Sequence, residues 1–306
     1  MNLLDVNGLN ISFSIGFNDS LDVIKDLNMT MNRTDTISMI GESGSGKSVI
    51  ASAILRILES NATVSGNVSF EGEDIYGMTE KRILEIRSKD ICLIPQNASQ
   101  AWDPLTKIGR QMTEFQIKAG ILQDDAKELS RDMLSKCGFD DPDTIMGTYP
   151  HRLSGGMCQR AMIAMCMSVS PALMIADEPT KGLDVYSRGH VLDLMTEVGK
   201  NSALLMISHD LQAAMHCRMT SVLYGGVIVE RGPSCDVLND PLHPYTKGLH
   251  AAHPRNGMRP IPGTGLRAFY NRGCIFSDRC SECTDECKDT MDMMIKGDRE
   301  VRCLRV

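Results

Sequence analysis

Apolar and polar residues alternate in short runs over the first 35 positions, in LLDVNGLNISFSI and again in LDVIKDLNMTM. A period of two marks half-buried strands, so this stretch predicts a small antiparallel sheet, which VSGNVSFEGEDI extends through a Gly-containing turn. Between these runs the pattern changes: TISMI (Thr36 to Ile40) is a short apolar strand, and VIASAILRIL (Val49 to Leu58) suits a helix. From about Lys81 to Lys136 the pattern is mostly helical, broken at NASQAWDPLT, where Pro104 and the Asn and Asp residues stop a helix. That region reads as a helical insertion. Beyond it ALMIAD reads as a buried strand, VYSRGHVLDLMTEVG as an amphipathic helix, ALLMIS as another strand and SVLYGGVIVERG as a hairpin. Strand and helix in alternation predict a parallel sheet covered by helices.

The junction between TISMI and its helix is GESGSGKS, Gly41 to Ser48. A strand-to-helix turn of the form G-x-x-x-x-G-K-[ST] lets backbone N–H groups curl around phosphate oxygens, and the helix N-terminus adds partial positive charge. Gly41, Ser43, Gly44, Ser45 and Gly46 would form that cradle, Lys47 would neutralise the β- and γ-phosphates, and Ser48 would offer its hydroxyl to Mg²⁺. A Gly/Ser linker needs neither the lysine nor the flanking strand and helix.

Composition narrows the class. The 306 residues, 42% hydrophobic and 23% charged, are enough for a sizeable core and an appendage. A formal net charge of −7 with no basic stripe argues against a dedicated nucleic-acid binder. The opening MNLLDVNGLN has no signal-peptide pattern, and no run of 18 apolar residues predicts a membrane span, so a cytosolic chain is expected. In that compartment the 11 cysteines are expected as free or metal-bound thiols, and the 21 methionines as core filler.

A second phosphate-related feature is LMIADEP, Leu173 to Pro179, which delivers Asp177 and Glu178 to the C-terminal end of a buried strand, where α/β sheets present ligands. Asp177 suits a Mg²⁺ shell, and Glu178 suits a general base that polarises an attacking water.

LSGGMCQR, Leu153 to Arg160, then resembles the signature of the ATP-binding subunits of ABC transporters. The resemblance covers nearly the whole chain. It implies a P-loop NTPase (RecA-like) α/β core with an N-terminal antiparallel β subdomain, an inserted helical subdomain at about 97–160 and a Cys-rich C-terminal extension. It also implies a head-to-tail dimer in which Ser154, Gly155, Gly156 and Gln159 of one subunit meet ATP held by the P-loop of the other. Gln96 in LIPQNAS resembles the Q-loop glutamine, reaching Mg²⁺ and the attacking water; Asp184 in KGLDVYS matches the D-loop, and His209 in LMISHDL the switch histidine. Phe13 is the candidate for stacking on adenine, with Phe17 as rival. Mg²⁺ would thus be held through Ser48, Gln96 and Asp177. Met157 and Cys158 stand where the general signature has glutamine and a varied residue, a pattern typical of the oligopeptide, dipeptide and nickel importers. Lys181 and Gly182 depart from that branch's usual D-loop.

The same branch is marked by its C-terminal extension, which DPLHPYTKGL, RPIPG and GCIFSDRC resemble. The last 33 residues hold Cys274, Cys280, Cys283, Cys287 and Cys303, with five, two, three and fifteen residues between them. Such spacing has no helical or strand logic, whereas thiolates gathered on a short loop make a soft-metal cage. By resemblance the four matching cysteines are Cys274, Cys280, Cys287 and Cys303, and some members of the branch hold a 4Fe-4S cluster there. A zinc site and unligated thiols are the alternatives, and Cys283 is either a spare thiol or another ligand.

The reading is therefore an ATPase domain at 1–238 and an extension at 239–306. ATP with Mg²⁺ would be bound and hydrolysed to power import of oligopeptides or dipeptides, with nickel or a metal-chelate as the alternative cargo. Expected partners are a sister ATPase subunit in a heterodimer, two membrane-spanning permease subunits and an extracytoplasmic solute-binding protein, at the cytoplasmic face of the membrane. A DNA-repair or chromosome ABC ATPase would instead show a long heptad coiled coil or zinc modules within the core.

Overall fold

The alternating N-terminal segment forms the expected antiparallel sheet. In the computed structural model, which describes residues 2–16, 19–263, 273–289 and 291–306, the chain opens with β1 (Leu4–Ser14), β2 (Ser20–Met31) and β3 (Thr36–Ile40), followed by β4 (Ala62–Phe70) and the short β5 (Glu73–Asp74). β1 pairs antiparallel with both β2 and β4, giving the order β2-β1-β4-β5. Leu4 and Val6 point inward, then Leu9 and Ile11, so the inward-facing parity slips by one residue. A bulge absorbs the slip: the register with β2 shifts between Val6 and Leu9, and Gly8 takes φ +56°.

The chain divides into two compact units. The first holds Met1–Met31, Thr36–Tyr76 and Ile207–Val306, and the second holds Asn32–Asp35 and Gly77–Met206.

Within the second unit, β6 (Ile91–Ile94) and β7 (Leu173–Asp177) run parallel with Ile94 opposite Ala176, and β8 (Ala203–Ser208), which belongs to this unit through Met206, flanks β7. β6 corrects the helical reading of 81–136. Four apolar residues carry too little pattern to separate a buried strand from a helix, and parallel pairing with β7 decides. The helices of this unit include Glu80–Lys89, Ile108–Lys118, Gln123–Lys136 and Gly155–Ser168. Thr79 caps the first of these by accepting the Arg82 amide, and Gln116 joins the next two by donating to Ser130 Oγ across 3.0 Å. The predicted break at NASQAWDPLT is anchored by Trp102, whose ring N–H donates to the Cys158 carbonyl at 3.2 Å.

Back in the first unit, β9 (Met219–Tyr224) lies parallel to β3, and β10 (Val227–Pro233) folds back on β9 as the predicted hairpin. The cysteine-bearing tail, where no strand is expected from residue pattern, adds β11 (Met294–Lys296) and β12 (Arg299–Val301). β12 pairs antiparallel with β10, so the order is β11-β12-β10-β9-β3. Three-residue strands are too short for period two to show. Their register is set by the edge of β10, with Glu230 opposite Val301.

The tail makes no core of its own. Cys274, Phe276, Cys287 and Met291 pack in one cluster with Ile40 of β3, Val222 and Tyr224 of β9, and Tyr245 of the helix Pro244–Ala252. Among the described residues no helix is long and apolar enough to cross a membrane.

Candidate nucleotide site

All five residues of β3 are buried, so the strand delivers the next residue from the interior. That residue is Gly41, and a Cβ there would stand 2.2 Å from the Leu223 carbonyl oxygen. Only glycine lets the loop start this close to β9. The loop ends at the helix Lys47–Ile54, whose N-cap Gly46 offers no side-chain cap, so the first amides are not claimed by one. Ser43, Gly44 and Ser48 face outward, while Ser45, Gly46 and Lys47 are buried. Lys47 Nζ donates to the carbonyls of Gly41 and Glu42, each at 2.9 Å, and to Ser45 Oγ at 3.4 Å. The cation is thus held over its own loop, and the exposed donors beside it fit an anion with several oxygens.

Phe13 is half-buried on β1, opposite Leu21 of β2 and Ala62 of β4, and Phe17 lies outside the described residues. His209 is exposed directly after β8; the next residue, Asp210, caps the helix Leu211–Ala214 by accepting the Gln212 amide.

The second unit holds the remaining candidates. Asp177 ends β7, and Glu178 follows with φ 49°, a backbone conformation that costs a residue with a side chain about 1 kcal/mol or more. Glu178 is 9% exposed. Gln96 emerges two residues after β6, so the parallel register of Ile94 with Ala176 brings Gln96 and Asp177 out at the same end of the strands.

In the signature, Ser154 caps the helix Gly155–Ser168 by accepting the Met157 amide at 3.3 Å; Gly155 is exposed, and Gln159 is buried. A Cβ on Gly156 would lie 2.9 Å from Ser187 Oγ, and that hydroxyl donates to Asp184 at 2.7 Å. Asp184 also accepts the Tyr186 and Ser187 amides, each at 3.0 Å, capping the helix Val185–Val198. The Ser187 bonds hold its carboxyl below the usual carboxylate range. The D-loop and signature are thus packed together, and Lys181 is exposed.

Sequence reasoning missed the partners of Glu42. Its amide donates to Tyr245 Oη at 2.8 Å, and its carboxylate takes both arms of Arg279, at 2.8 and 3.0 Å. An acid inside a loop built for phosphate was the available signal, because such a charge needs a cation nearby.

All five tail cysteines line one small cavity with His243, Phe276 and Met291. Cys274, Cys287 and Cys303 are buried, Cys283 is exposed, and all 11 cysteines of the chain are free thiols. Burial, with smaller contributions from the neighbouring thiols, pushes Cys274 up to about 11. Among the described residues no group of three or more His, Cys, Asp or Glu side chains is disposed to hold a metal ion. The expected convergence of the cysteines on one cavity is therefore present, while their side chains are not disposed as the ligands of a metal ion.

Residues 24–181 match the ABC transporter family, and residues 229–287 match the oligopeptide/dipeptide transporter C-terminal region. The chain is 36% identical over 313 residues to the probable D,D-dipeptide transport ATP-binding protein DdpD of Escherichia coli (strain K12), covering 98% of this chain and 95% of that protein. It is 36% identical over 296 residues to the oligopeptide transport ATP-binding protein OppD of Haemophilus influenzae, covering 94% and 91%. In fold it is similar to the dimeric structure of MJ0796, a bacterial ABC transporter cassette, with a TM-score of 0.69 at 19% identity, over 76% of this chain and 98% of that one.

Proposed function

This chain belongs to the ABC transporter family of ATPases and carries the oligopeptide/dipeptide transporter C-terminal region; from that premise we propose that it binds and hydrolyses ATP to power uptake of oligopeptides or dipeptides. The observation that carries the reading is the buried Lys47 held in a phosphate loop, in a chain similar over nearly its full length to dipeptide and oligopeptide transport ATP-binding proteins. Neither nickel import nor a DNA-repair role is favoured by those relatives.

In this proposal Lys47 and the loop amides bind the β- and γ-phosphates, and Ser48, Gln96 and Asp177 are the residues that would serve as ligands to a Mg²⁺ that offsets phosphate charge. Glu178 accepts a hydrogen bond from the attacking water, and His209 contacts the γ-phosphate. Ser154, Gly155, Gly156 and Gln159 act on nucleotide held by a second ATPase subunit, so closing the dimer is what nucleotide binding drives. The second subunit would be a sister chain. Two permease subunits and a solute-binding protein would complete the importer, with this chain peripheral at the cytoplasmic face.

The test is ATPase activity of the purified chain, alone and mixed with a sister ATPase subunit. Glu178→Gln is expected to keep MgATP binding, trap a closed dimer and lower hydrolysis by roughly 100-fold or more. Rapid hydrolysis by that variant would remove Glu178 from the role of base.

The tail thiols form a second part of the proposal. Cys274, Cys280, Cys287 and Cys303 would hold a 4Fe-4S cluster, with zinc as the alternative; support comes from their shared cavity and their soft donor set. Iron, sulfide and zinc content of anaerobically purified protein tests it, and metal-free protein with every tail thiol titratable would end it.

A further inference from the structure

We propose that Arg279 is a positioning residue for MgATP binding, acting through Glu42, and that the C-terminal extension is thereby a strut for the phosphate loop. The inference rests on the phosphate loop being the ATP site, as proposed above.

Both ends of Glu42 are held by the extension. Arg279 grips the carboxylate with Nη1 to Oε2 at 2.8 Å and Nη2 to Oε1 at 3.0 Å, and Tyr245 Oη accepts the Glu42 amide at 2.8 Å. Arg279 is itself fixed. Its Nε donates to the Pro262 carbonyl at 2.8 Å, and Nη1 donates to Tyr224 Oη at 3.4 Å. The guanidinium carbon lies 5.7 Å from the Tyr224 ring centre and 5.9 Å from that of Phe276. The Arg279 side chain is only 7% exposed, and that of Glu42 31%. A mobile surface pair contributes little, whereas a bidentate pair whose cation is wedged on its other sides defines a position.

The position matters because Glu42, with Gly41, also holds the lysine. Its carbonyl accepts Lys47 Nζ at 2.9 Å and the Ser45 amide at 3.2 Å. The chain of contacts therefore runs from Arg279 and Tyr245 to Glu42, and from Glu42 to Lys47. Arg279 also neutralises the one carboxylate that the loop would otherwise set against phosphate oxygens. The 3₁₀ turn that carries Arg279, Ser277–Arg279, sits between Cys274 and Cys280: the Ser277 amide donates to the Cys274 carbonyl, and the Cys280 amide to that of Ser277. The cysteine segment thus has a mechanical output on the nucleotide side of its own unit.

MgATP affinity and steady-state ATPase kinetics of Arg279→Ala, Arg279→Lys, Glu42→Gln and the Glu42→Gln/Arg279→Ala double variant test the proposal. Arg279→Ala is expected to weaken MgATP binding and raise KM by about tenfold, with kcat within about threefold of the parent. Arg279→Lys, a point charge without the fork, should recover only part of that loss. The double variant should be no worse than the weaker single, since both remove one contact. Glu42→Gln, on a partly exposed loop position, keeps the measurement interpretable if Arg279→Ala melts early. Unchanged or tighter MgATP binding in the single variants, or fully additive losses in the double, would overturn the strut. A parent chain that does not bind MgATP would instead remove the functional reading itself.

Discussion

Two glycine-rich segments open helices in this chain, and they are built in opposite ways. The phosphate loop is enclosed: Gly41 touches the Leu223 carbonyl, Lys47 is 6% exposed, and Glu42 is tied down by the extension. The signature presents an open end. Ser154 and Gly155 are exposed, and a Cβ on Gly155 would meet nothing within 4 Å. Both segments place amides at a helix start, yet the first is furnished by its own unit with a cation and a wall, and the second carries only a serine cap. An enclosed loop is shaped to hold a ligand by itself. An open one leaves its amides free for a partner, and in the proposed dimer it would complete the nucleotide site of a second subunit.

Gly41→Ala attacks the enclosed segment where it is tightest. A methyl 2.2 Å from a backbone oxygen forces β3 and β9 apart. We expect about 3 kcal/mol of lost stability by denaturant unfolding, and MgATP affinity reduced by about two orders of magnitude. Parent-like binding would mean that the loop tolerates displacement and that enclosure is not what organises it.

The wall behind the loop should yield to acid. His243 is buried in the tail and caps the helix Pro244–Ala252 by accepting the Tyr245 amide at 3.0 Å. Burial, with Lys247 adding, holds its imidazole down to about 4, against a usual 6.5. The folded chain keeps His243 neutral, whereas the unfolded chain takes up a proton below 6.5. Its contribution is therefore complete above pH 6.5 and is lost as pH falls toward 4, by up to about 3 kcal/mol. His243→Asn keeps an acceptor for the Tyr245 amide and should flatten that part of the stability profile. An identical acid slope in the variant would assign the sensitivity to other groups.

The contrast also explains which parts could be read from residues alone. G-x-x-x-x-G-K-S fixes backbone geometry through residue type, so the strand, turn and helix around Gly41 to Ser48 were visible at once. The same holds for Asp177 and Glu178, because a strand as apolar as Leu173–Ala176 can only be buried. β6 was hidden, since ICLI lies in a polar, helix-rich region and gains its identity from pairing with β7. β11 and β12 were hidden for the same reason, each being defined by a partner strand rather than by its own alternation. The Glu42–Arg279 pair joins positions 237 residues apart, a separation across which no local pattern reaches. The cysteine spacing announced the thiols but not their setting, which for Cys274 and Cys287 is one cluster with Phe276, Tyr245 and Ile40.

The smallest expected change in stability falls on the open segment, and it is the most discriminating. Gly155 has no positive φ and open space where its Cβ would be, so Gly155→Ala should leave the fold intact and raise unfolding stability by about 0.5 kcal/mol through lost freedom in the unfolded chain. By contrast, Ser154→Ala should lower it by about 1 kcal/mol, because the Met157 amide loses its cap. If the signature completes an ATP site on a second subunit, the added methyl stands on the surface that must approach nucleotide. Hydrolysis by the assembled dimer should then fall even though the isolated chain is as stable as before and binds MgATP normally. Full dimer activity in Gly155→Ala would show that this exposed helix end meets no nucleotide, and would leave the enclosed loop as a site that works without it.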